Sequence, residues 1–262
     1  MSAAAKWADL RQRLVSGLLL ALVGIVCVRL GGLWFVTLST LACGLMLWEL
    51  AVMLGAPKAP AVVCFVLGAG AMIAARWTEG AVELVMLLLV GGVLALMARR
   101  DRAVGMVYAL AILLAADGLI DFRNDYGGTW LFWMIFVVVA TDIAGYFAGR
   151  TIGGRKFWPS VSPKKTWAGI IAGWVGAALI GLLFLTFTSA GRDLPWISVA
   201  ISFASQMGDI SESAIKRRAG VKDSSHLIPG HGGLLDRFDG LLGAALAMLA
   251  VSFLVHVPVV RI

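Results

Sequence analysis

Residues 166–188 read TWAGIIAGWVGAALIGLLFLTFT, an apolar stretch without a single charged side chain. A helix of this length approaches the ~30 Å thickness of the hydrocarbon core of a bilayer. Eight further apolar stretches of comparable length lie at 14–30, 33–54, 60–76, 80–98, 103–121, 128–149, 194–215 and 238–257. The sequence therefore predicts an all-α, polytopic integral membrane protein with about nine transmembrane helices.

The composition favours the same class. Hydrophobic residues make up 60% of the chain and charged residues 14%, whereas soluble globular domains are about 45–50% apolar. The three cysteines, Cys27, Cys43 and Cys64, all lie inside apolar stretches, which favours small apolar packing residues over disulfides or metal ligands. We expect one membrane domain over 1–262, with peripheral helices in 1–125 and catalytic helices and motif loops in 126–262.

The net charge of +7 is distributed in the connecting loops. Cationic runs at 99–102, 150–165 and 216–239 fall on the same side as the N-terminus if nine helices cross the bilayer. The positive-inside rule then predicts a cytoplasmic N-terminus, an external C-terminus and motif loops that face the cytoplasm. Because the basic residues lie between apolar stretches rather than along one soluble face, anionic lipids or nucleotides explain them better than nucleic acid does.

The most polar part of the chain is residues 213–239, SAIKRRAGVKDSSHLIPGHGGLLDRFD. It combines carboxylates, cations and a histidine in a His-Gly-Gly turn: Asp223, Asp236, Asp239, Lys216, Arg217, Arg218, Lys222, Arg237 and His231. Cations bind phosphoryl oxygens, carboxylates bind magnesium, and glycines let backbone N–H groups approach an anion. This run predicts a site for phosphates and a divalent metal.

The eighth apolar stretch carries a polar stripe. Its members recur at a spacing of three and four, which places them on one helix face: Ser202, Ser205, Gln206, Asp209, Glu212, Ser213 and Lys216. One interpretation is a structural seam between helices, with Glu212 paired to Lys216. The other, which we favour, is that Asp209 ligates a metal while Glu212 and Lys216 support it.

Two regions further upstream add candidates. Asp142 lies late in the sixth stretch with Gly145 and Gly149 on nearly the same face, which is consistent with a ligand site or with a helix–helix hydrogen bond. The loop 150–165 contains five cations and no acid. It determines topology or contacts anionic lipid, or else Lys164 and Lys165 bind phosphate at the N-terminus of the next helix.

The start of the ninth helix offers two carboxylates. Asp236 is the better candidate for direct metal coordination, whereas Asp239 also fits helix capping and dipole compensation. His231 is best assigned to hydrogen bonding of phosphate, with Gly232 and Gly233 as backbone donors. Glu49, Glu83 and Asp117 lie in or near apolar stretches without a surrounding motif, so helix boundaries or pairing between helices explain them.

The motifs resemble a known family. The order of residues from Ser213 through Lys222, Asp223 and His231 to Asp239 is similar to the signature of the phosphatidate cytidylyltransferases, also called CDP-diacylglycerol synthases. Three upstream blocks are similar to further family motifs: Asp142, Gly145, Tyr146, Gly149 and Arg150; Ser162 to Trp167; and Gln206, Gly208, Asp209, Glu212 and Ser213. The resemblance covers roughly residues 140–240. It departs at Ala168, where the family usually has glutamate.

The resemblance implies transfer of a cytidylyl group from CTP to phosphatidic acid, giving CDP-diacylglycerol and pyrophosphate. It implies Mg²⁺ bound by Asp209, Asp236 and Asp239, and a second cation, K⁺, that no residue here identifies. The implied catalytic residues are Asp209, Asp236, Lys216, Lys222, Asp223, His231 and Arg237. The implied substrate-binding residues are Lys164, Lys165, Ser213, Arg217, Gly232, Gly233 and Asp142.

The expected surroundings follow from that assignment. We expect a bacterial inner membrane with the active site on its cytoplasmic face, membrane lipids as further partners, and no nucleic acid. The oligomeric state stays open, with a homodimer as one alternative.

Three other functions agree less well with the sequence. A CTP-dependent kinase of a lipid alcohol would need a base to deprotonate the hydroxyl. A CDP-alcohol phosphotransferase would carry an Asp-Gly-x-x-Ala-Arg block, which the sequence lacks. A transporter more often has repeat symmetry and broken helices that meet at the midplane, whereas these polar residues gather at one membrane face.

Overall fold

The structure, a computed structural model, describes residues 3–78, 80–230 and 232–259. Within these ranges it has nine α-helices: α1 (Ala3–Leu30), α2 (Gly32–Met53), α3 (Lys58–Ala74, followed by a 3₁₀ turn at Ala75–Trp77), α4 (Ala81–Met97), α5 (Arg102–Tyr126), α6 (Gly128–Thr151), α7 (Trp167–Leu185), α8 (Leu194–Ala219) and α9 (Leu235–Ser252). Each predicted apolar stretch overlaps one of them, so the helical prediction is confirmed.

Five of the described helices are long and apolar enough to cross a membrane: α2, α3 with its 3₁₀ turn, α5, α6 and α7. The apolar part of α1, Val15–Leu30, and helix α4 are shorter. Large apolar side chains such as Leu96 and Val107 are 75% and 68% exposed, which suits a lipid solvent and not water. These features indicate an integral membrane protein; the nine-span count and the cytoplasmic N-terminus stay predictions.

The basic loop after α6 contains a short β-hairpin that the sequence analysis did not predict. Strand β1 (Lys156–Trp158) pairs antiparallel with β2 (Ser162–Thr166), with Trp158 opposite Ser162 and Lys156 opposite Thr166. The protein is therefore nearly all-α. The hairpin delivers Lys164 and Lys165 directly to the start of α7, where Thr166 Oγ1 accepts a hydrogen bond from Gly169 N at 3.2 Å and caps the helix.

The described chain divides into two compact units. Unit 1 comprises 1–117 and 218–238, and unit 2 comprises 118–217 and 239–262. The predicted functional division at residue 125 stays a prediction.

In unit 2, helices α6 and α7 approach closely through small residues. A Cβ on Gly169 would lie 2.7 Å from the carbonyl oxygen of Gly145, and one on Gly173 would lie 3.0 Å from Thr141 Cγ2. Such contacts are typical of membrane helix pairs, where small residues let the backbones come together. They place the Asp142 segment beside the N-terminal turn of α7.

Helices α8 and α9 of unit 2 are packed equally closely. A Cβ on Gly208 would collide with the carbonyl oxygen of Asp239, and one on Gly243 would collide with the carbonyl oxygen of Ala204. Only hydrogen fits at these two positions, so the neighbouring Asp209 is held next to the backbone of Asp239.

Buried hydrogen bonds connect α6 to α8 in the same unit. Trp133 Nε1 donates to Ser198 Oγ at 3.0 Å, and Thr141 Oγ1 donates to Ser202 Oγ at 2.7 Å. Ser198 and Ser202 are fully buried. At Ser202 the polar stripe therefore forms a hydrogen bond between helices, as the seam interpretation predicts, and Ser198 adds a second such bond one turn earlier.

In unit 1, α2 and α3 pack through Gly44 and Gly68, where a Cβ would meet Phe65 or collide with Leu47. Asp117 lies in α5 and is the last residue of the first stretch of unit 1. It forms an ion pair with Arg76. Of the two interpretations given for Asp117, a helix boundary or pairing between helices, this ion pair supports pairing.

Candidate active site

Unit 2 encloses a cavity of about 440 Å³ between α6, β2, α7 and α8, here named the α6–α8 cavity. Its polar lining comes from α6, β2 and α8 and includes Asp142, Tyr146, Arg150, Lys164, Lys165, Gln206 and Asp209. Gly145, Gly149 and Gly169 complete the wall. Three of the blocks singled out in the sequence therefore meet at one cavity.

The centre of this cavity is an ion pair between Lys165 and Asp209. Lys165 Nζ lies 2.5 Å from Asp209 Oδ2 and also donates to the carbonyl oxygen of Gln206 at 3.2 Å. Asp209 Oδ1 accepts a hydrogen bond from Ser213 Oγ at 3.3 Å. The two charged side chains keep 22% and 35% exposure, so both remain accessible to a ligand.

Gln206 stabilises the Lys165–Asp209 ion pair, because Lys165 also binds its backbone carbonyl. It is buried, its Oε1 accepts from Trp174 Nε1 at 3.1 Å, and its Nε2 donates to the carbonyl oxygen of Ile170 at 3.2 Å. These bonds tie α8 to α7. The carbonyl that receives the Lys165 ammonium is thereby fixed.

Further charges lie around the pair. Asp142 and Asp209 both act electrostatically on Asp239, as does Lys216. Lys216 forms an i,i+4 ion pair with the buried Glu212, the pairing that the structural-seam interpretation named. Arg150 Nη1 donates to Tyr146 Oη at 2.6 Å, and the guanidinium lies over the tyrosine ring, so this cation of the cavity wall is oriented by its own helix.

The polar run forms a second region in unit 1. Residues 218–238, here named the signature segment, surround an open cavity of about 600 Å³. Its lining includes Lys222, Asp223, His226, Gly232 and Arg237. The predicted pair of cations and Asp223 are therefore brought together here. His226 is a further lining residue that the sequence analysis did not select.

Asp236 organises the backbone of this segment. Its Oδ2 accepts hydrogen bonds from Ser224 N at 2.9 Å, Ser224 Oγ at 3.0 Å and Gly233 N at 2.8 Å. Gly232 next to it has φ of +83°, a conformation that favours glycine. The N–H of Gly233, predicted to meet a substrate, is thus directed at Asp236.

Comparison with known protein families shows a relationship over most of the chain. The sequence model of the cytidylyltransferase family matches residues 11–255. The chain belongs to the cytidylyltransferase family.

Individual relatives point the same way. A phosphatidate cytidylyltransferase of Bacillus subtilis is 33% identical over 257 residues, which cover 89% of this chain and 94% of that protein. One of Brucella suis is 44% identical over 145 residues, 55% of this chain and 53% of the relative. One of Haemophilus influenzae is 43% identical over 130 residues. In the Brucella match the chain spans about half the length of the relative. The resemblance stated from the motifs is confirmed.

The remaining predicted positions of this cytidylyltransferase family member are placed as follows. Arg217 is exposed near the end of α8, and Lys164 is exposed at the cavity mouth. Asp239 lies within α9, one turn after its start at Leu235. His231 lies outside the described residues. Ala168 is in the first turn of α7, partly exposed.

The arrangement of the carboxylates limits how magnesium could bind. Among the described residues, no three His, Cys, Asp or Glu side chains are grouped closely enough to hold a metal ion by themselves. Mg²⁺ usually binds one or two carboxylates and takes its other ligands from substrate phosphates and water. Asp209 and Asp239, which interact electrostatically on neighbouring helices, fit that pattern.

The residue that sequence reasoning missed is Glu49. Its carboxylate, on α2 of unit 1, accepts hydrogen bonds from Ser225 Oγ at 2.5 Å, Leu234 N at 2.9 Å and Leu235 N at 2.7 Å. Helix-boundary placement does not describe this side chain. The one signal in the sequence was a carboxylate inside an apolar stretch.

Proposed function

We propose that the chain transfers the cytidylyl group of CTP to phosphatidic acid and releases pyrophosphate. The observation that carries the proposal is the α6–α8 cavity, where Lys165 and Asp209 from two separate motifs face one space. The family and the names of the relatives support the reaction class.

The reaction joins two polyanions. A phosphate oxygen of phosphatidic acid forms a bond to the α-phosphorus of CTP, and the bond from that phosphorus to the oxygen bridging the β-phosphate breaks. The nucleophile is already ionised near neutral pH, so no strong base is needed. The demand on the protein is to offset charge repulsion and to align the two phosphates.

The cavity cations meet that demand. The Gln206 carbonyl and Asp209 hold the Lys165 ammonium in place. Lys164 lines the same cavity, and Tyr146 orients Arg150. In the proposal these side chains bind the triphosphate oxygens. When CTP enters, Lys165 exchanges part of its contact with Asp209 for phosphate, and Asp209 is released for a cation.

Asp209 and Asp239 of unit 2 would hold Mg²⁺. Asp236, which the sequence also assigns to the metal, belongs to unit 1, where its Oδ2 accepts hydrogen bonds from Ser224 and Gly233. When bound, the ion would neutralise the triphosphate and stabilise the leaving pyrophosphate. Lys216 is kept beside these carboxylates by Glu212. The K⁺ implied by the resemblance is retained as an expectation with no assigned residue.

In unit 1, Lys222 and Arg237 would bind further phosphate oxygens in the cavity of the signature segment. Arg is suited to bidentate phosphate contacts and Lys to a point contact. Asp223 lines the same cavity and would orient the two cations. Arg217 and Ser213 are retained as substrate contacts, as are Gly232 and His231.

The setting is proposed to be a bacterial inner membrane with the motif regions on the cytoplasmic face. Basic loops on that side and the cytoplasmic location of nucleotide substrates support this placement. Membrane lipids would then surround the exposed apolar helices, and acyl chains of the substrate would stay in lipid. A homodimer remains one alternative.

The test is an assay of purified protein in detergent with CTP labelled in the cytosine ring, phosphatidic acid and magnesium. We expect label in the lipid fraction and release of pyrophosphate, both dependent on phosphatidic acid. Label in lipid when a polyprenol replaces phosphatidic acid, or no lipid label under any condition, would contradict the proposal. A transporter would give no covalent product.

A further inference from the structure

Glu49 is a buried carboxylate inside an apolar helix. It lies near the end of α2 and has no exposed surface. Burial of a carboxylate away from water costs several kcal/mol unless hydrogen bonds replace its hydration. The hydrogen-bond partners of Glu49 therefore indicate the role of this buried carboxylate.

All four of its hydrogen-bond contacts lie in the signature segment, 175 to 186 residues away in sequence. Two are the backbone N–H groups of Leu234, which directly precedes α9, and Leu235, its first residue. The others are the hydroxyls of Ser225 at 2.5 Å and Ser224 at 3.4 Å. One side chain thus fixes both ends of the 224–235 turn.

The contact extends to a second carboxylate. Ser224 bridges Glu49 and Asp236, because its hydroxyl lies near Glu49 Oε2 and its hydroxyl and N–H contact Asp236 Oδ2. A Cβ on Gly233 would lie 2.6 Å from Glu49 Oε1 and would collide with Ser224 Oγ. The turn is therefore closed around Glu49 with no room for a side chain at position 233.

The cations of the signature segment flank this turn. Lys222 lies two residues before Ser224, and Arg237 directly follows Asp236; both line the same cavity. Their backbone positions depend on the turn that Glu49 holds. We propose that Glu49 is a positioning residue that sets Lys222 and Arg237 for phosphate binding, a role that rests on the proposed function.

The test compares Glu49→Gln with Glu83→Gln. Glutamine keeps the size of the side chain but places an NH₂ group against backbone donors. Glu83 lies in the first turn of α4, and none of the described hydrogen bonds joins it to the signature segment, so it is the matched control. We expect Glu49→Gln to raise the KM for CTP and the inhibition constant of pyrophosphate by about 10- to 100-fold.

A merely structural role would lower the amount of folded protein and leave these two constants unchanged in the folded fraction isolated by gel filtration. Unchanged constants in folded Glu49→Gln would overturn the proposal. If that variant does not fold, Ser225→Ala removes a single contact; a rise of a few-fold in both constants is then expected, and no rise contradicts the proposal.

A second readout does not depend on turnover. Trypsin cleaves after Lys222 and Arg237, and pyrophosphate should slow this cleavage in the wild type and in Glu83→Gln but not in Glu49→Gln. Equal protection in all three proteins would overturn the role of Glu49. Absence of CTP turnover in a wild type whose signature segment is protected would instead count against the proposed function alone.

Discussion

In the α6–α8 cavity, Asp209 faces the ammonium of Lys165 and keeps a third of its surface exposed. Around the signature segment, Glu49 of α2 and Asp236 direct their oxygens at backbone N–H groups and serine hydroxyls of the chain itself. The same chemical group is thus presented to a ligand in one region and used to shape a turn in the other. A carboxylate that lies in a sequence motif is therefore not necessarily a metal ligand. Its hydrogen-bond partners show whether it faces a ligand or stabilises a turn of the chain.

The largest effects are expected at the motif carboxylates Asp209 and Asp236. Asp209→Asn should lower turnover by about 10²- to 10³-fold, because it removes charge from the predicted metal. Asp236→Asn should cause a loss of similar size, because it loosens the turn that precedes Arg237. Asp193→Asn, on the connection before α8, is the control and should have little effect. Loss of only a few-fold at saturating magnesium would remove that residue from the site.

The two variants should differ in one respect. Asp236→Asn also breaks hydrogen bonds to Ser224 and Gly233, so trypsin should cleave its signature segment faster, whereas Asp209→Asn should be cleaved like the wild type. The double variant should be little worse than either single one if both residues act on one magnesium ion. Fully multiplicative losses would show that they act in separate steps.

A smaller loss is expected for Lys165→Ala, about 10- to 100-fold in kcat/KM, because the cavity loses one charge-assisted contact to phosphate. Lys156→Ala is the matched control, since Lys156 is exposed on β1 of the same hairpin and does not line the cavity. If both substitutions lower kcat/KM equally, Lys165 contributes only general positive charge and makes no specific contact with phosphate.

Ala168→Glu restores the residue usual in the family and should change activity by less than about tenfold, or roughly 1.4 kcal/mol in barrier. The side chain is partly exposed in the first turn of α7, where a carboxylate is compatible with the helix dipole. The measurement is kcat at saturating substrates. Complete inactivation would show that the surroundings of residue 168 differ more from those in the family than the shared motifs indicate.

No effect on activity is expected from Ser160→Cys or Ser189→Cys in a background without the three native cysteines. In intact cells, a membrane-impermeant maleimide should label residue 189 and not residue 160, because the loop 150–165 is predicted to be cytoplasmic. Labelling of residue 160 from outside would reverse the proposed topology.

Most of the fold was predictable because long apolar stretches indicate helices directly. The β-hairpin was not, since β2 reads SPKKT, which has no alternation of apolar and polar residues and only one β-branched residue, Thr166. Asp209, Lys165 and Lys222 were selected individually from their motifs. The pairing of Lys165 with Asp209 and the reach of Glu49 to Leu235 could not be predicted, because both depend on helix packing between residues far apart in sequence.

The most direct test of cytidylyl transfer is the fate of the phosphates of CTP. Purified protein would be given phosphatidic acid, magnesium and CTP radiolabelled at either the α- or the γ-phosphate. Breakage between the α- and β-phosphates predicts that the α-label enters lipid and the γ-label is released as pyrophosphate. Entry of the γ-label into lipid would show phosphoryl transfer and would contradict the account.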